Sequence, residues 1–261
     1  MTPAATRWAE QLAAWAVPQW ILDAAPAQPY VFPPRMFAAP APGSTPRSRS
    51  TEIAAAALTS GGSVLDVGCG GGAAAFALVP PATEVVGTDR QEDMLSLFAA
   101  TAGERGVPVQ TVPGSWPDVA DRVPAADVVV CHNVLYNVPD LAAFAAALHD
   151  HARRRVVLEI TERHPQTARA PLWQHFWGID RPSGPDAALA AEVLRDSGLP
   201  VTVEGSTATA RDTALAAPVE AGFWCRQLCL PPERESEVAE LVRELPFPDR
   251  RVTLWWDVEP R

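Results

Sequence analysis

Residues 64–72 read Val-Leu-Asp-Val-Gly-Cys-Gly-Gly-Gly, and residues 84–90 read Glu-Val-Val-Gly-Thr-Asp-Arg. A short apolar strand runs into glycines at 68, 70, 71 and 72, and an Ala/Leu/Phe run of helical character follows. Glycine lets the backbone turn sharply and lets a ligand approach the bare main chain. The second apolar segment ends in Asp89. It lies about twenty residues beyond the glycines, where an acidic side chain can accept hydrogen bonds from ribose hydroxyls. The pattern is that of a nucleotide site at the mouth of a parallel sheet.

Working outward, strands and helices alternate. Strands are expected near 63–67, 84–88, 109–112, 126–131 and 154–160, and helices near 71–78, 91–103, 139–151 and 185–197. The run Asp127-Val128-Val129-Val130 has no polar face, so it needs cover on both sides, as in a parallel sheet. Right-handed crossovers then give an α/β, doubly wound, three-layer Rossmann-like fold. Before the first strand lie Trp8, Leu12 and Trp15 at helical spacing. A proline- and aromatic-rich stretch over 26–46 follows, containing Tyr30, Phe32 and Phe37. Proline forbids regular helix there, so this reads as an extended segment laid over something else. Pro46 suits the first turn of a helix over roughly 47–60, ended by Gly61-Gly62. The organisation expected is a helical, Pro-aromatic cap over 1–46 and a catalytic domain over 47–261, with a helical insertion at about 217–245.

The chain of 261 residues carries a net charge of −10, and every basic residue is Arg. The acidic balance argues against a nucleic-acid partner. The missing lysine excludes a P-loop lysine, a Schiff-base lysine, a kinase lysine and a Tyr-x-x-x-Lys dehydrogenase pair. No apolar run reaches the length of a membrane span. The cysteines at 69, 131, 225 and 229 have no zinc-ribbon or disulfide-dense spacing, and no metal is expected. They fit the reduced cytoplasm.

Three readings compete for the glycine loop: a tight strand-to-helix turn, a dinucleotide site, and a site for a cationic nucleoside. Four glycines in the five positions 68–72 are more than a turn needs. Asp66 then weighs against a pyrophosphate, which it would repel, and for a ligand with an amine near the loop and a ribose near Asp89. S-adenosylmethionine has both, plus a sulfonium.

At this point the chain resembles the class I S-adenosylmethionine-dependent methyltransferases of small-molecule type. The match comprises Asp66-x-Gly68-x-Gly70-x-Gly72, Asp89, Gly114-Ser115-Trp116-Pro117-Asp118, and the segment from Ala126 to Val138 that contains His132-Asn133. It covers roughly residues 50–160. The resemblance implies a mainly parallel seven-stranded sheet of order 3-2-1-4-5-7-6 with strand seven antiparallel; strand six falls at 200–205 and strand seven at 251–257.

It further implies S-adenosyl-L-methionine as cofactor. Asp66, Gly68, Cys69, Gly70 and Gly72 would hold the methionine moiety and Asp89 the ribose. Arg90 and Met94 would flank the adenine, with Ser115 and Trp116 closing its other side. His132 and Asn133 would stand where cofactor and acceptor meet, and His132 is the favoured base. The aromatic stretch after strand five emerges at the same sheet edge. Tyr30, Phe37, Glu159, His164, Trp173 and Trp177 are therefore candidate walls of an acceptor pocket, against a packing cluster under a long loop. The expected activity is in-line methyl transfer to an O, N or C atom of a small molecule. The alternatives are a non-catalytic S-adenosylmethionine-binding regulatory protein and an NAD(P)-dependent oxidoreductase. A homodimer is compatible with the sequence.

Overall fold

The computed structural model describes residues 1–29, 37–39, 41, 48–207, 221–245 and 250–259. Its centre is β1 (Ser63–Val67), whose apolar side chains Val64, Leu65 and Val67 are all buried. Each is worth roughly 1.5–3 kcal/mol of burial. Together they hold the strand in the interior even though Asp66 must go in with them.

Around β1 the sheet assembles in the order β3-β2-β1-β4-β5-β7-β6. The remaining strands are β2 (Glu84–Asp89), β3 (Val109–Pro113), β4 (Ala126–His132), β5 (Ala152–Thr161), β6 (Thr202–Thr207) and β7 (Arg250–Asp257). The first five pair in parallel, and β7 runs antiparallel to both β5 and β6. This is the order and polarity expected from the sequence.

Helices cover both faces. α3 (Arg49–Ala56), α4 (Ala73–Phe76) and α5 (Glu92–Arg105) pack on Val64, Val85, Val128, Val130 and Val157. α1 (Pro3–Ala13), α6 (Leu141–His151) and α8 (Ala187–Asp196) pack on Leu65, Val86, Val129, Cys131 and Leu158. The expected helix over 71–78 forms as the short α4.

α1 belongs to the core of the sheet. Trp8 is fully buried, donates its indole N–H to the Val138 carbonyl at 2.8 Å and stacks on Tyr136. A third cluster lies beside the main core. It joins α2 (Gln19–Ala24), α7 (Ala170–Trp177), α9 (Ala221–Gln227) and α10 (Glu235–Val242) through Ile21, Trp173, Trp224 and Val238. α7 departs from the sequence reading, in which 170–177 is simply an aromatic stretch. Pro171 sits in the first helical turn, where its missing N–H costs nothing, so it starts this helix. Cys225 and Cys229 are both buried in this cluster as free thiols.

Candidate active site

The glycine loop is tied to the end of β2. The backbone N–H groups of Gly68 and Cys69 both donate to the Thr88 carbonyl, at 2.8 and 3.0 Å. Gly72 opens α4 with φ 83°, and a Cβ there would lie 2.2 Å from the Phe76 ring. Only glycine fits. Gly70 N–H donates to Asp89 Oδ2 at 3.1 Å, and Gln91 N–H donates to Asp89 Oδ1 at 3.0 Å. The half-buried Asp89 therefore joins the loop to the start of α5 and keeps a lone pair on each oxygen.

Asp66 stands directly beneath. It is buried, and its Oδ2 accepts from Ala75 N–H at 3.1 Å. Burial pushes its pKa up to about 8; the Ala75 hydrogen bond opposes the rise and the nearby Asp89 charge adds to it. Such an acid holds its proton near neutral pH until a cation joins it.

A piece of the N-terminal segment lies on this loop. Ala38 forms isolated bridges to Gly71 and Gly72, and a Cβ at Gly70 would sit 3.2 Å from Phe37 Cβ. Phe37 is thus at the lip of the loop, and Tyr30 and Phe32 lie outside the described residues. Arg90 and Ser115 are exposed at the ends of β2 and β3, whereas Met94 is buried in the first turn of α5. Trp116, expected to close the adenine, follows β3. Its indole N–H donates to the Phe144 carbonyl at 3.3 Å and its ring meets His151 edge-on at 4.8 Å. It packs under α6, on the face of the sheet opposite α4 and α5. A buried indole N–H needs an acceptor, and α6 supplies it.

His132 ends β4, and Asn133 follows with φ 60°. The Asn133 N–H donates to the Glu159 carbonyl at 2.7 Å, and its side-chain oxygen accepts from Arg251 at 2.6 Å. Next comes Val134, whose Cγ2 would be 2.5 Å from a Cβ at Gly68. The β4 loop and the glycine loop therefore touch.

In register, His132 faces Glu159 of β5, and Glu159 faces Thr253 of β7. Glu159 is buried and accepts a short hydrogen bond from the hydroxyl of Ser50 in α3. Ser50 is linked in turn to Ser48 at 2.8 Å. Nothing in the sequence singles out Ser50. The run Ser48-Arg49-Ser50-Thr51 signals a helix cap, and Ser48 fills that role; the reach of Ser50 to β5 has no local signal.

The other expected pocket walls are engaged with separate neighbours. His164 stacks on Trp15 with ring centroids 4.1 Å apart and meets Tyr136 edge-on at 5.0 Å. Trp173 is buried in the third cluster, and Trp177 donates to the Leu228 carbonyl at 2.7 Å.

Comparison with known proteins agrees with this geometry. The methyltransferase domain family matches residues 65–158. The ubiquinone biosynthesis O-methyltransferase of Pseudomonas paraeruginosa is 34% identical over 109 residues, 41% of this chain and 47% of that one. The chain spans less than half the length of such curated relatives. Magnesium protoporphyrin IX methyltransferase from Synechocystis PCC 6803, solved with bound SAH, aligns over 81% of this chain and 82% of its own. The TM-score is 0.52 and the identity 18%. The cyclase SpnF aligns over 82% and 81% with a TM-score of 0.53 and 15% identity. At these identities the likeness concerns fold alone, and one of the two folds serves a cyclase. Residues 65–158, which run from β1 to β5, thus match the methyltransferase domain family and lie in a sheet with the expected seven-stranded order.

Proposed function

We propose that this protein is an S-adenosyl-L-methionine-dependent methyltransferase acting on a small-molecule acceptor at oxygen, nitrogen or carbon. Oxygen is favoured by its O-methyltransferase relatives. The observation that carries the reading is the pair Asp66 and Asp89 around the glycine loop. Asp66 is a buried acid, lifted to about pKa 8, that makes no ion pair among the described residues. Asp89 is a half-exposed carboxylate already aligned by two backbone N–H groups. An ammonium near the first and ribose hydroxyls near the second fit this donor and acceptor set; a pyrophosphate does not.

When bound, the cofactor supplies a methyl group activated on a sulfonium. The chain's own contribution is alignment and exclusion of water. Asp89 and the loop N–H groups orient the nucleoside. Phe37, against Gly70, covers the loop from the N-terminal side. His132, at the carboxyl edge of β4 beside Val134 and Glu159, takes the acceptor proton on an imidazole nitrogen when the acceptor is a hydroxyl. Glu159, Asn133 and Arg251 bound the acceptor's side of this edge. The segment at Phe37 and Ala38 serves as a partial cover of the loop, and α1 packs into the core of the catalytic domain. Among the described residues no helix is long and apolar enough to cross a membrane. The four free thiols suit a cytoplasmic enzyme.

Titration calorimetry with S-adenosylhomocysteine and with NADPH tests the cofactor. Saturable binding of the first and none of the second is expected; the reverse overturns the proposal. Transfer of labelled methyl to a panel of phenols, amines and carboxylic acids tests the activity. Binding without transfer to any of them would instead support a non-catalytic role.

A further inference from the structure

Between β5 and α7, residues 162–169 form a loop rich in donors and poor in counter-charge. Two tight turns shape it: Thr167 N–H donates to the His164 carbonyl and Arg169 N–H to the Gln166 carbonyl, both at 2.9 Å. His164 Nδ1 accepts from Gln166 N–H at 3.2 Å, so the ring proton belongs on Nε2. Burial, with Arg181 and Arg169 nearby, holds the ring's pKa down to about 4. His164 is therefore a neutral N–H donor. The hydroxyl of Thr167 is buried and has no hydrogen-bond partner among the described residues.

Arg169 is the key residue. Its guanidinium lies 4.0 Å over the Trp224 ring, and Nη1 donates to Gln166 Oε1 at 3.0 Å. Among the described residues no carboxylate lies within ion-pair distance of it. Burial lowers its pKa to about 10. It also sits at the N-terminus of α7, the end of a helix where a cation is disfavoured and an anion welcome. Among the described residues a guanidinium so placed meets no anion. Its planar fork fits a carboxylate bidentately, and the Trp224 ring beneath it holds the fork in place.

The loop borders the proposed reaction centre. His164 touches Tyr136, which follows the segment His132–Val134, and Val134 touches the glycine loop.

We propose that the 164–169 loop is an acceptor subsite for a carboxylate, with Arg169 pairing the carboxylate and Thr167 adding a hydroxyl donor. This deepens the methyltransferase reading and rests on it for the meaning of "acceptor". The anion site itself can be measured separately.

Benzoate is the probe, titrated calorimetrically into the full-length protein with and without S-adenosylhomocysteine, with benzamide as neutral isostere. Saturable benzoate binding is expected, at least about tenfold tighter than benzamide and weakened at least about tenfold by Arg169→Gln. Unchanged S-adenosylhomocysteine affinity in the variant certifies its fold. Thr167→Val, which only replaces an unpartnered hydroxyl, should weaken benzoate a few-fold without lowering the melting temperature. Equal binding of benzoate and benzamide, or full benzoate affinity in Arg169→Gln, overturns the subsite. Tighter binding of phenyl phosphate than of benzoate overturns the choice of carboxylate. Loss of S-adenosylhomocysteine binding in the wild type, with benzoate still bound, would overturn the cofactor reading and leave the anion site standing.

Discussion

The glycine loop and the 164–169 loop are built on opposite logic. Among the described residues, the first holds a buried acid, Asp66, with no cation beside it; the second holds a half-buried cation, Arg169, with no anion beside it. The first is assembled from residues 66–89, a single strand-loop-helix-strand unit. The second draws on residues near 15, 136, 164–181 and 224, which are distant in sequence. Backbone geometry rules the glycine loop, where main-chain N–H groups do the holding. Side chains rule the other, where rings stack and charges are left to be met. A recurrent cofactor suits a backbone cradle, and a particular acceptor suits a side-chain pocket.

Backbone rule is broken most severely at Gly72. Gly72→Ala should cost about 2–6 kcal/mol in stability, from left-handed strain and overpacking against Phe76. Gly178, the left-handed residue that ends α7, has nothing within 4 Å of where an alanine methyl would stand. The same change there should cost only about 1–2 kcal/mol. Urea unfolding of both variants measures the gap, and equal losses would erase the distinction between the two regions.

Next is Asp89→Ala. Loss of charged hydrogen bonds worth about 1.5–3 kcal/mol should weaken S-adenosylhomocysteine at least about tenfold. Benzoate binding should be unaffected. Unchanged cofactor affinity would count against the ribose role of Asp89.

The two loops should also respond oppositely to pH. Asp66 has a folded pKa raised above its unfolded value of 3.8. Between pH 4 and 8 the unfolded chain loses this proton and the folded chain keeps it. Stability therefore falls with rising pH, by up to about 1.4 kcal/mol per unit. His164 has a folded pKa of about 4, below its unfolded 6.5. Its contribution is present above pH 6.5 and falls as pH drops towards 4. Asp66→Asn should flatten the first slope and His164→Gln the second, read from denaturant midpoints across pH. Binding of a ligand ammonium at Asp66 should also release a proton near pH 7, visible as buffer-dependent binding enthalpy. Buffer-independent enthalpy would remove the ammonium from Asp66.

Much of the fold is legible in the chain because it is written locally. The strand-glycine-helix unit, the unbroken apolar runs of β1 and β4, and the alternation of β7 each follow from a few adjacent residues. α7 escapes such a reading because Pro171 serves equally as a breaker and as a first-turn residue. The choice depends on Leu172 and Trp173 finding a partner layer in α9 and α10. For Trp116, position after β3 suggests a place against the adenine. The structure points it at α6, where its part-buried indole N–H donates to the Phe144 carbonyl. Ser50 and Arg169 carry no motif at all.

The parallel sheet, the glycine cradle and the identity of the two aspartates follow from sequence alone, because local backbone conformation and the apolar repeat are properties of neighbouring residues. Only the tertiary structure decided that Asp66 is deprived of solvent, that Glu159 is held by Ser50, and that Arg169 lies over Trp224. The cost of a charge depends on what surrounds it in space, and those surroundings are supplied by segments far away along the chain.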